Sequence, residues 1–449
     1  MSAHGTFQAA RGPERISSYA EDLFGHLPRA DQRRWALTYL RGLLTAPGRK
    51  SVRRLARAVS DSPTAAQSLQ QFVNSSPWEW DPVRAALARW TEQQTGARSD
   101  QQTGAQTGVR AWTVGLSVQP KRGQHSVGVH RRFVPESGRT VSCQAGVGLF
   151  LTAGGHSAGG HSAGGHSAGG HSAGRLSAGG LATAGSAIPV DWRLLLPERW
   201  SGDARLRLRT RIPDSVSDRS LGAHILEMAD SLAARTSCAV PPLVANIPGC
   251  PQLPSLLHEL SRRRQEFVLA VPDSLAVLPC APDGRPSAYG PELTAVPARH
   301  FRGLDRSPAV HTTTVRPSGP LPRPVGMRSG LVRLAGAPEL RSRTAPSSSR
   351  TAQSAQSSLR LFTGTAAAGR PARLWITNAL RRRPDELLAL TALPALTDGA
   401  VRSLRDDFGL LNFEGRSFPG WHHHMTLISA AYAYSRLAAP AEQCLRNSA

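Results

Sequence analysis

The side chains whose types and spacing could do chemistry fall into a few groups. His422, His423 and His424 stand in a row in WHHH, but successive helical residues are turned by roughly 100° from one another and do not converge on one ion. His156, His161, His166 and His171 recur in four consecutive copies of AGGHS from Ala153 to Ser172. Histidine-rich tracts hold transition metals weakly, yet pentads of Gly, Ala and Ser bury no core and read as a flexible loop grown by tandem duplication. Cysteines 143, 238, 250, 280 and 444 show no CxxC spacing, so neither a zinc site nor a disulfide framework is indicated, and a reducing compartment fits. No nucleophile elbow, Walker lysine or Rossmann glycine spacing occurs. What remains is basic. Trp112, Val114 and Leu116 alternate as a half-buried strand, Pro120-Lys121-Arg122-Gly123 supplies a turn, and Val127 and Val129 resume the alternation, predicting a basic hairpin that also carries His125. The strand end before this turn bears only Gly115, Leu116 and Ser117, with no carboxylate.

The 449-residue chain has a formal charge of +23, which favours a polyanionic partner because neutralised phosphates release condensed counterions. Basic blocks recur along the chain instead of forming one tail. All but two of its 54 basic residues, Lys50 and Lys121, are arginine, a skew that also reflects GC-rich coding. No N-terminal apolar core and no apolar window of the ~18 residues needed to cross a bilayer is evident. The expectation is a soluble, cytoplasmic protein without membrane contact, associated with the nucleoid when bound to DNA.

The elements that must position these residues read as follows. Residues 1–15 are expected to be disordered, and 16–92 form an all-helical N-terminal domain. Within it Val52–Val59, a Ser60-Asp61-Ser62-Pro63 break and AAQSLQQFV have helix-turn-helix spacing, with Arg53 and Arg54 as phosphate contacts. Trp78 and Trp80 read as packing residues. A low-complexity linker with two QQTGA copies spans 93–109. The first part of an α/β core spans 110–275, with 140–151 and 187–195 as neighbouring strands split by the Gly/His/Ser-rich loop 153–186. Helix 220–235, strand 241–246, helix 255–264 and strand 266–272 then imply at least one parallel strand pair. Residues 276–370, rich in Pro, Ser and Arg, read as a poorly ordered insertion. Residues 371–449 complete the core with a strand at 373–380 and C-terminal helices.

Several longer stretches, DLFGHLPRADQRRWALTYLRGLL, QQFVNSSPWEWDPVR, PKRGQHSVGV, CQAGVGLF, DWRLLLPERW, PPLVAN and GLLNFEGRSFPGWHHHMTLISAAYAY, in this order resemble the insertion-sequence transposases of the family numbered seven hundred and one, within the DDE superfamily endonucleases. The resemblance implies an RNase H-like mixed sheet flanked by helices, presenting three acids to a pair of Mg2+ or Mn2+ ions. Two such ions roughly 4 Å apart activate a nucleophile and stabilise the leaving oxygen in attack on a phosphodiester, and carboxylates are their natural ligands. It also implies double-stranded DNA as partner, at element terminal repeats, and a homo-oligomer acting on two ends.

Anchored on these motifs, the first acid falls at Gly115, with a neighbouring acid expected at Leu116, the second at Asn246, and the third at Asp398, which leaves Asp398 as the remaining metal ligand. Arg405, seven residues on, is its basic partner, Glu414 a supporting acid, and Pro394 strains the helix that carries the third position. Replacing two of three acids removes about two charges facing the ions, each missing pair worth several kcal/mol at few-ångström range. The expectation is a transposase-like, DNA-binding protein with impaired nuclease and strand-transfer activity, binding DNA through Lys121, Arg122, Arg131, Arg132, Arg53 and Arg54. The alternatives are an active metal-dependent transposase with relocated acids such as Asp191 or Asp273, or a decaying remnant. His125 and His422–His424 match the family text as helix-start or backbone-contacting residues.

Overall fold

A computed structural model describes residues 12–100, 109–134, 138–154, 185–236, 239–280, 295–302, 310–315, 325–335, 358–364 and 373–438. The fold is mixed α/β. Five helices lead: α1 (Gly12–Phe24), α2 (Ala30–Thr45), α3 (Val52–Val59), α4 (Ala65–Asn74) and α5 (Trp80–Asp100). α2 buries Ala36, Tyr39, Leu40 and Leu43, the i, i+3, i+4, i+7 stripe of an amphipathic helix. α3 buries Val52, Leu55 and Ala56 and leaves Arg53, Arg54 and Arg57 exposed. Two expectations change here. α1 begins at Gly12, inside the stretch expected to be disordered, and α5 runs on to Asp100 through the first QQTGA copy. Residues 1–11 and the second copy lie outside the described residues.

The strands are β1 (Arg110–Pro120), β2 (His130–Val134), β3 (Arg139–Ala153), β4 (Ser186–Leu195), β5 (Leu243–Ala245), β6 (Phe267–Val271), β7 (Ala276–Pro279), β8 (Val296–Pro297), β9 (Val310–Val315), β10 (Val325–Leu334), β11 (Leu359–Gly364) and β12 (Leu374–Thr377). They form one sheet in the order β2-β3-β1-β5-β6-β12-β11-β10-β7-β8, with β4 also on β3 and β9 also on β10. β1, β5 and β6 are parallel neighbours, as the strand–helix–strand reading required, and β3 and β4 pair antiparallel across the stretch containing the AGGHS copies, of which 155–184 lie outside the described residues. The expected basic hairpin does not form. β1 pairs with β3 along its whole length and β2 pairs only with β3. Residues 121–129 instead fold back onto the C-terminal segment, where Val127 N donates to Arg416 O at 3.0 Å, and Gly128 takes φ +72°, a conformation that suits glycine. The stretch 276–370 is not simply a disordered insertion either: its described residues supply β7–β11.

Between the strands lie α6 (Glu198–Gly202), α7 (Ala204–Thr210), α8 (Leu221–Ala233) and α9 (Leu253–Arg262), and the chain closes with α10 (Pro384–Asp406) and α11 (Phe418–Leu437). α8 and α9 cover one sheet face, packing Ile225, Met228, Leu256 and Leu257 with Trp112, Val114 and Leu269. α10 covers the other, packing Leu387, Leu390 and Leu393 with Ala111, Val244 and Val268. By length and composition α10 is the one described helix apolar enough to cross a membrane, contrary to the reading that no such window exists; in the fold it lies across β1, β3, β4 and β5. Pro394 sits buried inside this continuous helix.

α11 is buried almost all round and shares a core with α1–α5 and β4, so the helical N-terminal part and the sheet are one packed body. Most polar groups on such a helix must be paired, and His422 Nε2 is an exception, buried without a partner. Tyr19 OH donates to Ala430 O at 2.9 Å, Trp192 Nε1 to Ser429 Oγ at 3.0 Å, and Trp421 Nε1 to Gln119 Oε1 at 3.2 Å. His423 Nδ1 and Nε2 each lie 2.8 Å from a main-chain oxygen, of Val73 and of Trp78, so the neutral ring donates to one of them only; the ring stacks on Trp78 at 3.9 Å. His424 Nε2 meets Gly409 O at 3.1 Å. Burial outweighs these carbonyls and lowers both imidazoles to about 4; burial and the neighbouring Arg84 push His422 well below the usual histidine value. The three rings lie near the start of α11, as expected, but are buried in the core and not placed to contact a DNA backbone.

These depressed pKa values carry a sign. The unfolded chain takes up protons near 6.5 while the folded chain holds the rings neutral to about 4. The stabilisation is therefore complete above pH 6.5 and lost as pH falls toward 4, by about 1.4 kcal/mol for each pH unit and each ring over that window. The urea midpoint should drop steadily between pH 6.5 and 4.5, and less steeply in His424→Gln.

Candidate active site

The topology brings the three anchored positions together. In the parallel pairing Trp112 faces Leu243 and Thr113 faces Val244, a register that carries Gly115 to the level of Asn246. α10 crosses over this point, and Thr113 Oγ1 lies 2.5 Å from Thr397 Oγ1 and 2.7 Å from Thr152 Oγ1. The side chains do not converge as a metal site would need. A Cβ added at Gly115 would lie 2.7 Å from Phe150 Cε2, 3.0 Å from Thr397 Cγ2 and 3.1 Å from Val401 Cγ2; the slot is filled from three sides. Asn246 Oδ1 is buried without a partner, a neutral acceptor on its own. Leu116 is partly exposed.

Asp398 follows Thr397 around the helix and is exposed where Thr397 is buried. Its carboxyl is shifted upward by partial burial, opposed by Arg402 and Arg373. The base one turn on is thus Arg402, whereas Arg405 pairs with Asp406 at 2.9 Å on the surface. Glu414 lies 3.9 Å from Arg49, on the loop before α11. No group of three His, Cys, Asp or Glu side chains suited to a metal ion occurs among the described residues. Gly115, Asn246 and Asp398 therefore do not fit a two-ion centre: one carboxylate is present, it is exposed where the adjacent Thr397 is buried, and Phe150, Thr397 and Val401 occupy the space the first acid would need.

The relocated acids fare no better as a pair. Asp273 follows β6, while Asp191 sits in β4 and is committed elsewhere. Asp191 Oδ1 accepts from Arg84 Nη1 at 2.8 Å, Arg193 Nη1 at 2.7 Å and Trp192 N at 2.7 Å. Arg84, on α5, also donates through Nη1 to Trp192 O at 2.8 Å, through Nε to Thr426 Oγ1 at 2.9 Å, and through Nη2 to His422 Nδ1 at 3.1 Å and His422 O at 3.2 Å. Because a guanidinium only donates, His422 carries its proton on Nε2. Burial lowers Arg84 to about 10, with Asp191 the main opposing influence, and it stays charged at neutral pH. Sequence reading does not single out Arg84; its only signal is its place between Val83 and Ala85-Ala86-Leu87 in the apolar part of α5.

The expected DNA contacts divide. Lys121 turns inward: its Nζ donates to Phe413 O at 2.6 Å and lies 5.2 Å from the Phe413 ring centre, and burial, partly offset by Glu414, lowers it to about 8. Arg122 is exposed, Arg131 and Arg132 lie on edge strand β2, and Arg53 and Arg54 lie on the outer side of α3. None of these five arginines makes an ion pair among the described residues. His125 is exposed beside Arg416, in a small cleft also lined by Arg209 and Thr210.

Residues 22–160 and 165–321 match the family described as DDE superfamily endonuclease. The chain belongs to this family. No curated protein matches it. The match takes in β1 and β5, with Gly115 and Asn246, and ends before α10, so Asp398 lies beyond it. DDE superfamily endonucleases generally use divalent metals on a DNA substrate; in this member the described residues do not assemble the ligands for such ions.

Two stability measurements follow. Gly115→Asp should cost at least about 1–3 kcal/mol from overpacking alone, more from burying the charge, and Phe150→Ala in the same chain should recover part of it in urea unfolding. Arg84→Leu should cost about 3–5 kcal/mol, because it leaves Asp191 buried with one partner fewer.

Proposed function

We propose that this DDE superfamily endonuclease family member is a DNA-binding protein on an RNase H-like scaffold, related to insertion-sequence transposases, whose metal-dependent cleavage and strand transfer are lost. The observation that carries this is the filled slot at Gly115: Phe150, Thr397 and Val401 close on the place where the first carboxylate would stand. Asn246 adds a neutral amide, and Asp398 is exposed. With one acid in place of three, little negative charge remains to hold two dications beside a DNA backbone. The scaffold keeps the features that serve binding. Arg53, Arg54 and Arg57 are exposed on α3, next to the exposed glutamines Gln67, Gln70 and Gln71 of α4. That arrangement suits phosphate contact by the first helix of a helix-turn-helix and base contact by the second. Arg122, Arg131 and Arg132 add phosphate contacts that confer affinity without sequence reading. Double-stranded DNA at element ends, self-association on two ends and a cytoplasmic, nucleoid-associated location belong to this reading.

The commitment of Asp191 to two arginines speaks against an active enzyme with relocated acids. The deciding experiment is a plasmid nicking and strand-transfer assay in Mg2+ and Mn2+, with DNA binding followed in the same samples. The natural chain should bind duplex DNA with affinity that falls steeply with salt and should not nick. Metal-dependent nicking that disappears in Asp398→Asn would refute the loss of activity. Absence of both binding and nicking by a folded protein would favour a remnant.

A further inference from the structure

α7 reads ARLRLRT, and its arginines are used unequally. Asp203 caps it, accepting from Arg205 N at 2.8 Å and Leu206 N at 3.0 Å, and Arg211 ends it with φ +57°. Arg207 is spent on the main chain: Nη1 donates to Ser201 O at 3.0 Å and Val216 O at 2.9 Å, and Nη2 to Pro213 O at 2.5 Å. This clamp fixes the helix on the following loop. Arg205 and Arg209, a turn apart, stay exposed and make no side-chain bond among the described residues. Between them in sequence, Leu208 is 84% exposed, the most exposed large apolar side chain described.

Beside Arg209 opens a cleft of about 220 Å³ lined by His125, Arg209, Thr210 and Arg416. Its walls come from three separate segments with no carboxylate among them. The segments are tied down by Val127 N donating to Arg416 O and by Arg211 Nη1 donating to Asn74 O at 3.1 Å. The Thr210 hydroxyl donates inward to Leu206 O at 2.6 Å, so the outward donors are two guanidiniums and an imidazole. That set matches a tetrahedral oxyanion, and paired arginines favour phosphate geometry. A lone phosphate would leave Leu208 unexplained, whereas a nucleic-acid duplex presents backbone phosphates next to an apolar groove wall of sugars and base edges.

We propose that this face docks on duplex DNA, with a backbone phosphate held by His125, Arg209 and Arg416 and Leu208 against the adjacent groove wall. The inference rests on the DNA-binding reading above and adds to it a contact surface that joins α7 and the loop before α11 to the segment preceding β2.

The test is fluorescence anisotropy of a labelled duplex with the full chain across a salt series. Arg209→Ala/Arg416→Ala should weaken binding roughly tenfold and reduce the salt slope by about one, as loss of one phosphate contact requires. Leu208→Ala should weaken binding by a few-fold with the slope unchanged. All three side chains are exposed, so urea midpoints should match the parent and exclude a folding defect. If the parent binds DNA and the double variant keeps its affinity and slope, this surface is not the dock while the DNA-binding reading stands. If the parent itself does not bind duplex at low salt, both fail. Equal binding of polyglutamate, lost in the same double variant, would make the partner an acidic polymer in general and overturn the assignment to DNA.

Discussion

The buried Arg84 guanidinium is the constraint around which the rest of the molecule is arranged. It sits on α5 and reaches Asp191 and the Trp192 carbonyl on β4, and His422 and Thr426 on α11. A charge at 2% side-chain exposure is tolerable only when its donors are met, so α5, β4 and α11 must keep one relative placement. The aromatic packing around it, with Trp80 stacked on His422 at 4.7 Å and Trp78 on His423 at 3.9 Å, extends the same lock to the turn between α4 and α5. The helical N-terminal part is thereby bound into the sheet instead of hanging from it.

That rigidity bears on the candidate active site. β1, β5 and α10 meet beside Gly115, and the meeting point is apolar and hydroxylic: Phe150, Val401, and the Thr113–Thr152–Thr397 hydroxyl cluster. Carboxylates clustered in such a place would repel one another. Methyl groups and an aromatic edge fill the space beside Gly115, so a carboxylate placed there would be costly. The basic exterior is untouched by this packing, since exposed arginines owe nothing to the interior of the sheet.

Much of the fold is legible in the sequence for identifiable reasons. α8, α9, β5, β6 and β12 are readable because each has an unmixed period and a clear boundary, such as Pro241-Pro242 before β5 and Ser220 capping α8 by accepting from Ala223 N. The hairpin is misleading because the alternation at Val127 and Val129 arises from burial against the C-terminal segment, which mimics a strand's period without strand pairing. β7–β11 escape notice because their short apolar runs lie among Pro, Ser and Arg and gain order only by pairing with distant strands. Lys121 reads as a surface cation and turns inward, a choice made by Phe413, almost three hundred residues away.

By itself the sequence determined the residue types: which strands and helices could form, that Gly115 and Asn246 lack carboxylates, and that arginine would dominate the surface charge. These are local properties, carried by each side chain wherever it ends up. Only the tertiary structure decided which groups meet. It set Asp191 against Arg84 instead of in an acidic cluster, buried three consecutive histidines as neutral rings, closed the slot beside Gly115, and drew His125, Arg209 and Arg416 into one cleft. Those outcomes depend on long-range packing and on the cost of desolvating charge, both of which are set by neighbours distant in the chain.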